Sequence, residues 1–156
     1  MKIGHICLAS TAAGSGERFT ALVKALANEK LEQHVLVASS ALARQLADLP
    51  NVTVGPVVKS PVMAYCLMPE VDIAHIHEVK SGQAGLLLTL TRTIPYVITA
   101  ASEDLGSKNP LTRSVLHRTA QLVPIINDEP VQHIAKEHMQ IYRDALNTWV
   151  RAALMF

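Results

Sequence analysis

The 156-residue chain has few cysteines, few aromatic residues and no concentration of charge of one sign. Its two cysteines, Cys7 and Cys66, have a spacing typical of neither a disulfide framework nor a zinc site. Lysine and arginine number 14 against 13 acidic residues, and no basic block favours nucleic acid or an anionic membrane. We therefore expect a reducing, cytoplasmic setting, with small molecules or proteins rather than nucleic acid as partners.

The sequence also lacks an unbroken apolar run long enough to cross a membrane. The longest candidate, residues 84–101, is interrupted by Arg92 and Pro95. The apolar run after Lys2 is short and contains His5, which favours a buried strand over a signal peptide. We therefore predict no transmembrane segment. Hydrophobic residues make up 49% of the chain, which is enough to fill the core of one domain.

Apolar runs of strand length recur along the chain, and segments with helical periodicity separate most of them. The predicted strands are 2–9, 34–39, 51–58, 71–77, 95–100 and 122–127. Such alternation predicts an α/β domain with a mostly parallel, six-stranded sheet and helices on both faces. We expect Ser39 or Ser40 to cap a short helix after the second predicted strand. We expect Ser81 to cap the helix after the fourth predicted strand.

The segment from Pro130 to Phe156 precedes no further strand. Its apolar spacing predicts one long amphipathic helix or two abutting helices, so we divide the chain into a domain at 1–138 and a C-terminal amphipathic helix at 139–156. The end of this helix is unusually apolar, at Trp149, Leu154, Met155 and Phe156. It could dock on its own sheet, hold a second copy, or serve a scaffolding subunit that binds another protein.

A glycine-rich stretch, "TAAGSGERF", connects the first predicted strand to the first helix. Gly14 and Gly16 form a G-x-G pair, but the third glycine of a dinucleotide-binding fingerprint would fall at Phe19, and the second strand ends in serines rather than in an acidic residue. This excludes a typical nicotinamide or flavin dehydrogenase. The stretch is either a plain connector or a phosphate-binding loop, since the first amides of a helix bind anions. The candidate phosphate-binding residues are Gly14, Ser15, Gly16, Glu17 and Arg18.

A second motif, "DIAHIHEVKSG", places His75 and His77 on one face of the fourth predicted strand. Such a pair can bind a metal ion, but one ring would lie under a helix and no third ligand is evident, so we predict no metal site. We expect His75 to be structural and His77 to lie at the edge of a site. Glu78 follows at the carboxyl end of the strand, where ligands bind in open α/β sheets and where the Gly14 loop should also lie.

The order of these segments resembles the N-terminal, acceptor-side domain of GT-B glycosyltransferases of family four. Residues 2–39 are similar to that family's opening strand, its loop ending in G-E-R, its helix and its second strand. Residues 71–88 resemble its D-h-h-H-h-H strand and the helix after it, 93–99 resemble its G-I-P-h-V-h-T strand, and 108–134 resemble the segment through its h-h-h-S-E strand. The resemblance extends from residue 1 to about residue 138.

The resemblance implies a Rossmann-like domain with strand order 3-2-1-4-5-6 and a C-terminal helix packed back on it. The family's second domain, which binds the nucleotide sugar, has no counterpart in this sequence. The implied function is the acceptor half of a sugar transferase, acting with a separate donor-half protein or as a non-catalytic relative. A nucleotide diphosphate sugar would be the donor, a sugar-containing molecule the acceptor, and no other cofactor would be required. The matching substrate-side positions are His77, Glu78, Asn127 and Asp128.

Two departures from the family pattern affect the expected chemistry. Ala100 and Ala101 stand where the family often has a histidine or basic residue, and Asn127 and Asp128 replace its S-E pair. Loss of such groups lowers transfer rates strongly. We therefore assign no catalytic residue and do not expect transfer by the isolated chain. A further alternative is a small enzyme or binding module for a sugar phosphate at the Gly14 loop.

Overall fold

A six-stranded parallel sheet runs through the described part of this computed structural model, which comprises residues 1–11, 14–124 and 131–155. The strand order is β3-β2-β1-β4-β5-β6, and every neighbouring pair is parallel. This confirms the predicted fold class and strand order. The strands are β1 (Lys2–Cys7), β2 (Glu32–Val37), β3 (Val52–Val54), β4 (Ile73–Ile76), β5 (Tyr96–Ala100) and β6 (Gln121–Pro124).

The described residues also form seven α-helices. They are α1 (Ser15–Ala27), α2 (Ser40–Leu46), α3 (Pro61–Leu67), α4 (Gly82–Arg92), α5 (Ser102–Leu105), α6 (Pro110–Arg118) and α7 (Val131–Leu154). The N-cap of α2 is Ser39, whose side chain accepts a hydrogen bond from the Leu42 amide, as one of the two predicted serines should. The helical periodicity of the sequence predicted α1, α2, α4, α6 and α7, but not the short helices α3 and α5.

The predicted cap at Ser81 is only half right. Ser81 precedes α4, but it belongs to a 3-10 turn, Val79–Ser81, and its backbone is helical rather than extended. A cap residue needs extended backbone to turn its hydroxyl toward the amides of the first turn. The Ser81 hydroxyl is therefore buried without a hydrogen-bond partner among the described residues.

The two faces of the sheet carry different helices. Helices α1 and α7 pack on one face, where Ile3, Ile73 and Val97 of three strands contact the buried side chains of Leu26 and Tyr142. Helix α2 packs beside α1 through its two buried leucines. The opposite face is covered by α3, α4 and α6, whose buried residues form one hydrophobic cluster with Tyr96. Helices therefore cover both faces, as predicted.

Helix α7 is one continuous element from Val131 to Leu154, so it passes residue 138 without interruption. Its middle belongs to the core, because Tyr142 and Ala145 are buried against the sheet. Its end does not, since Leu154 and Met155 are more than 80% exposed. The side chain of Trp149 is half-buried, and Phe156 lies outside the described residues. Within the described ranges, no helix combines the length and apolar character that crossing a bilayer requires.

Helix α4 ends at Thr93, which adopts the left-handed conformation with a φ of 58° and donates its amide to the Leu88 carbonyl. A β-branched residue is strained there, whereas glycine is not. We expect Thr93→Gly to raise the free energy of unfolding by about 0.5–1 kcal/mol, measured by urea denaturation. The same exchange at Thr112, inside α6, should lower stability instead. Equal effects at both positions would contradict this explanation.

Candidate functional site

The Gly14 loop leads into α1 at the carboxyl end of β1. Gly14 has a positive φ of 61° and is the N-cap of the 13-residue α1, which receives no side-chain cap. Helices α2, α3 and α6 are instead capped by Ser39, Ser60 and Asn109. The first amides of α1, like those of α4, therefore have no side-chain acceptor among the described residues, and they are available to another acceptor.

Glycine is required at position 16 for packing. Gly16 is buried, and a Cβ atom there would overlap the carbonyl oxygen of Thr11. The absence of a side chain allows the first turn of α1 to lie directly against the incoming loop. Glu17 and Arg18 are exposed on that turn, and Ser15 is half-buried at its start. The structure thus places the five predicted phosphate-binding residues together at one helix N-terminus.

The end of β4 lies next to this helix start. The rings of Phe19 on α1 and His77 are 4.7 Å apart between centroids, edge to face. The Cys7 thiol at the end of β1 donates to a carboxylate oxygen of Glu78 over 3.5 Å. His77 is 8% exposed and Glu78 is partly buried. The ends of β1 and β4 and the start of α1 therefore form one continuous edge that contains the predicted residues His77 and Glu78.

The remaining predicted site residues, Asn127 and Asp128, lie outside the described residues. Strand β6, which precedes them, pairs with β5 through Pro124.

Sequence reasoning missed a third imidazole beside the predicted pair. His5 on β1 is the register partner of His75 on β4, and its Nδ1 lies 3.1 Å from Nε2 of His77. The His75 and His77 rings are stacked, with centroids 4.0 Å apart. The nitrogens of His75 are hydrogen-bonded to the Tyr142 hydroxyl at 2.7 Å and the Thr99 hydroxyl at 2.8 Å. Three histidines of two neighbouring strands thus form one buried cluster.

A fourth histidine, His138 on α7, lies next to this cluster. The His138 ring is stacked on that of His75 at 5.8 Å, and its Nδ1 donates to the Ile134 carbonyl at 2.8 Å. That hydrogen bond places the proton on Nδ1 and leaves the lone pair on Nε2.

Burial keeps these imidazoles neutral. It lowers the pKa of His5 to about 3, and it lowers the pKa values of His75 and His77 well below the usual range, with the neighbouring imidazoles acting in the same direction. Burial also lowers the pKa of His138. It raises the pKa of the Cys7 thiol to about 12. At neutral pH the site therefore contains neutral imidazoles, which accept hydrogen bonds or bind metal ions, and a protonated thiol.

Comparison of the sequence with protein-family models and with curated proteins gives no match. Among solved structures, MurG from Acinetobacter baumannii is similar, with a TM-score of 0.58, 14% identity and coverage of 97% of this chain. A dodecameric FMN-dependent UbiX-like decarboxylase from Escherichia coli O157:H7 is also similar, with a TM-score of 0.52, 15% identity and coverage of 96% of this chain. At such identities the likeness shows the fold alone.

The two structural neighbours differ in size and chemistry. MurG is a GT-B glycosyltransferase, and this chain spans 46% of the MurG chain. The decarboxylase is matched over 94% of its chain. One Rossmann-like fold therefore serves a sugar transferase and a flavin-dependent enzyme, and function has to be argued from the site.

Proposed function

We propose that the chain is a glycosyltransferase-like domain that forms the acceptor-side wall of a cleft for a nucleotide diphosphate sugar. The observation that carries the proposal is the meeting of the uncapped start of α1 with the His77–Glu78 end of β4. Backbone amides at a helix start suit a diphosphate, and a neutral imidazole with a neighbouring carboxylate suits sugar hydroxyl groups. Ligands of parallel α/β sheets bind at this edge.

The donor-binding half of the cleft would come from a second domain or from a partner protein. Transfer in GT-B enzymes takes place between two domains, and one Rossmann-like domain provides one wall. The exposed end of α7, with Leu154 and Met155, is the surface we assign to that partner or to a second copy. The proposal includes a cytoplasmic setting, since Cys7 and Cys66 are both free thiols. We assign no catalytic residue within this chain.

Ser15→Asp tests the diphosphate site. It adds a carboxylate at the first residue of α1, where acidic residues stabilise the helix but repel a bound anion. We expect the affinity for a nucleotide diphosphate sugar to fall at least tenfold, about 1.4 kcal/mol, without loss of stability. The measurement is calorimetric titration of the chain with uridine, guanosine and adenosine diphosphate sugars. A carboxylate at Gly16 would be less informative, because its Cβ atom would overlap the Thr11 carbonyl.

Ser40→Asp is the matched control, because Ser40 is the first residue of α2, whose start is capped by Ser39. It should leave the affinity unchanged. Saturable binding that Ser15→Asp weakens and Ser40→Asp does not would support the proposal. Absence of binding to every sugar nucleotide would contradict a diphosphate site at the start of α1 of this chain, and equal weakening by both variants would contradict its location there. Flavin mononucleotide is titrated in parallel, and saturable binding of it alone would favour a flavoprotein instead.

A further inference from the structure

The cluster of His5, His75 and His77, where strands β1 and β4 pair, has the composition of a metal centre. One nitrogen from each of His5, His75 and His77 lies within 4.8 Å of the other two, and all three side chains are buried. Nδ1 of His5 and Nε2 of His77 are hydrogen-bonded at 3.1 Å, and a bound ion would replace that hydrogen bond. Two imidazole nitrogens bound to one tetrahedral zinc ion lie about 3.3 Å apart, as Zn–N bonds of 2.0–2.1 Å require. We infer that these three histidines bind a divalent transition-metal ion, and that Zn²⁺ fits them best.

The hydrogen bonds around the cluster support this inference. A metal-bound histidine uses one nitrogen for the ion and is oriented through the other. His75 is hydrogen-bonded at both nitrogens, to Tyr142 and Thr99, so an ion at one nitrogen would displace that hydroxyl while the other hydroxyl keeps the ring oriented. Nε2 of His5 and Oε1 of Gln33 are both buried with no other hydrogen-bond partner among the described residues, and the Gln33 side chain is a hydrogen-bonding neighbour of His5. Gln33 can therefore orient the His5 ring through Nε2, which leaves Nδ1 for the ion.

The donor set favours zinc over harder cations. Neutral imidazoles suit zinc and its first-row neighbours, whereas magnesium and calcium prefer oxygen ligands. Three protein ligands leave a fourth position open, as in catalytic zinc sites. His77 provides the route of entry, because it is the most exposed of the three and lies at the carboxyl edge of the sheet. The nitrogens lie within 4.8 Å of one another, and a tetrahedral ion requires about 3.3 Å, so side-chain rotation adjusts the rings on binding.

Metal binding is measured on the full chain with Zn²⁺ alone, so the result does not depend on the proposed sugar site. We expect one equivalent of Zn²⁺ after equilibrium dialysis. At a hundredfold excess over the dissociation constant, the melting temperature should rise by roughly 5–10 °C. Co²⁺ in place of Zn²⁺ should give the intense visible absorption of a four-coordinate ion. His5→Gln retains a hydrogen-bonding group but removes a ligand, and it should reduce the affinity at least a hundredfold.

His117→Gln is the control, because His117 is an exposed histidine on α6. It should bind Zn²⁺ like the parent chain. Zinc binding that survives in a folded His5→Gln chain, or that is lost in His117→Gln, would overturn the inference. If His5→Gln does not fold, His77→Gln and the Co²⁺ spectrum of the parent chain decide the question. An octahedral spectrum, or no binding by the parent chain, would also overturn it.

Discussion

Acidification from pH 7 to pH 5 should destabilise the chain by at least about 2 kcal/mol when a chelator keeps it free of metal ions. Burial lowers the pKa values of His5, His75 and His77 in the folded chain, whereas in the unfolded chain they return to about 6.5. The unfolded state therefore binds more protons below pH 6.5. The free energy of unfolding is therefore highest above pH 6.5, where the imidazoles are neutral in both states, and it decreases as the pH falls below that value.

The size of this effect follows from His5, whose folded pKa is about 3. For an unfolded pKa near 6.5, linkage gives a loss of about 2 kcal/mol at pH 5 for this residue alone. His75 and His77 add losses of the same sign. Since domains are stable by about 5–15 kcal/mol, the sum is enough to bring the chain near its unfolding transition. Urea denaturation at pH 7, 6 and 5, followed by circular dichroism, measures the change.

The control for the acid effect uses histidines of different burial. His5→Gln should flatten the dependence of stability on pH, because one buried titrating group is gone, while His117→Gln should leave the dependence as it is. A free energy of unfolding that stays constant between pH 7 and 5 would show that the three rings are not buried as neutral groups.

The fold could be predicted because local patterns specify it almost completely. Apolar runs such as 71–77 have strand length, and the helices between them require parallel strands. Helix α3 was missed because its seven residues fully bury only Ala64, so they have no apolar periodicity. A local signal was nevertheless present, since Ser60 followed by Pro61 is typical of a helix start. The four residues of α5 are too few for any periodicity to appear.

The candidate site was predicted in part for the same reason. The Gly14 loop and the His77–Glu78 strand end are contiguous motifs, and the order of the strands brings them to one edge. The contact of His5 with His77 joins residues 72 positions apart, and that of His75 with Tyr142 joins residues 67 positions apart. Such contacts depend on the register of β1 against β4 and on the placement of α7. Core packing sets both, and no short sequence pattern encodes them.

Tyr142→Ala should lower the free energy of unfolding by about 3–5 kcal/mol, which is a large share of the stability of a domain. The Tyr142 side chain is fully buried between α7 and the sheet, so truncation leaves a cavity. It also removes the hydroxyl that is hydrogen-bonded to Nδ1 of His75 at 2.7 Å. Tyr142→Phe keeps the ring and removes only the hydroxyl, so it should cost about 1–3 kcal/mol. Urea denaturation at pH 7 gives both values.

Tyr65→Phe separates the effect of burial from that of losing any tyrosine hydroxyl. The Tyr65 hydroxyl bonds to Thr91 on the protein surface, where water replaces a lost partner, so the exchange should change stability by less than about 0.5 kcal/mol. Tyr142→Phe and Tyr65→Phe remove the same atom, and the difference between them is therefore the cost of leaving a buried imidazole nitrogen without its partner. If both cost the same, α7 does not close the histidine cluster from water. The low pKa values that follow from that closure would then be wrong.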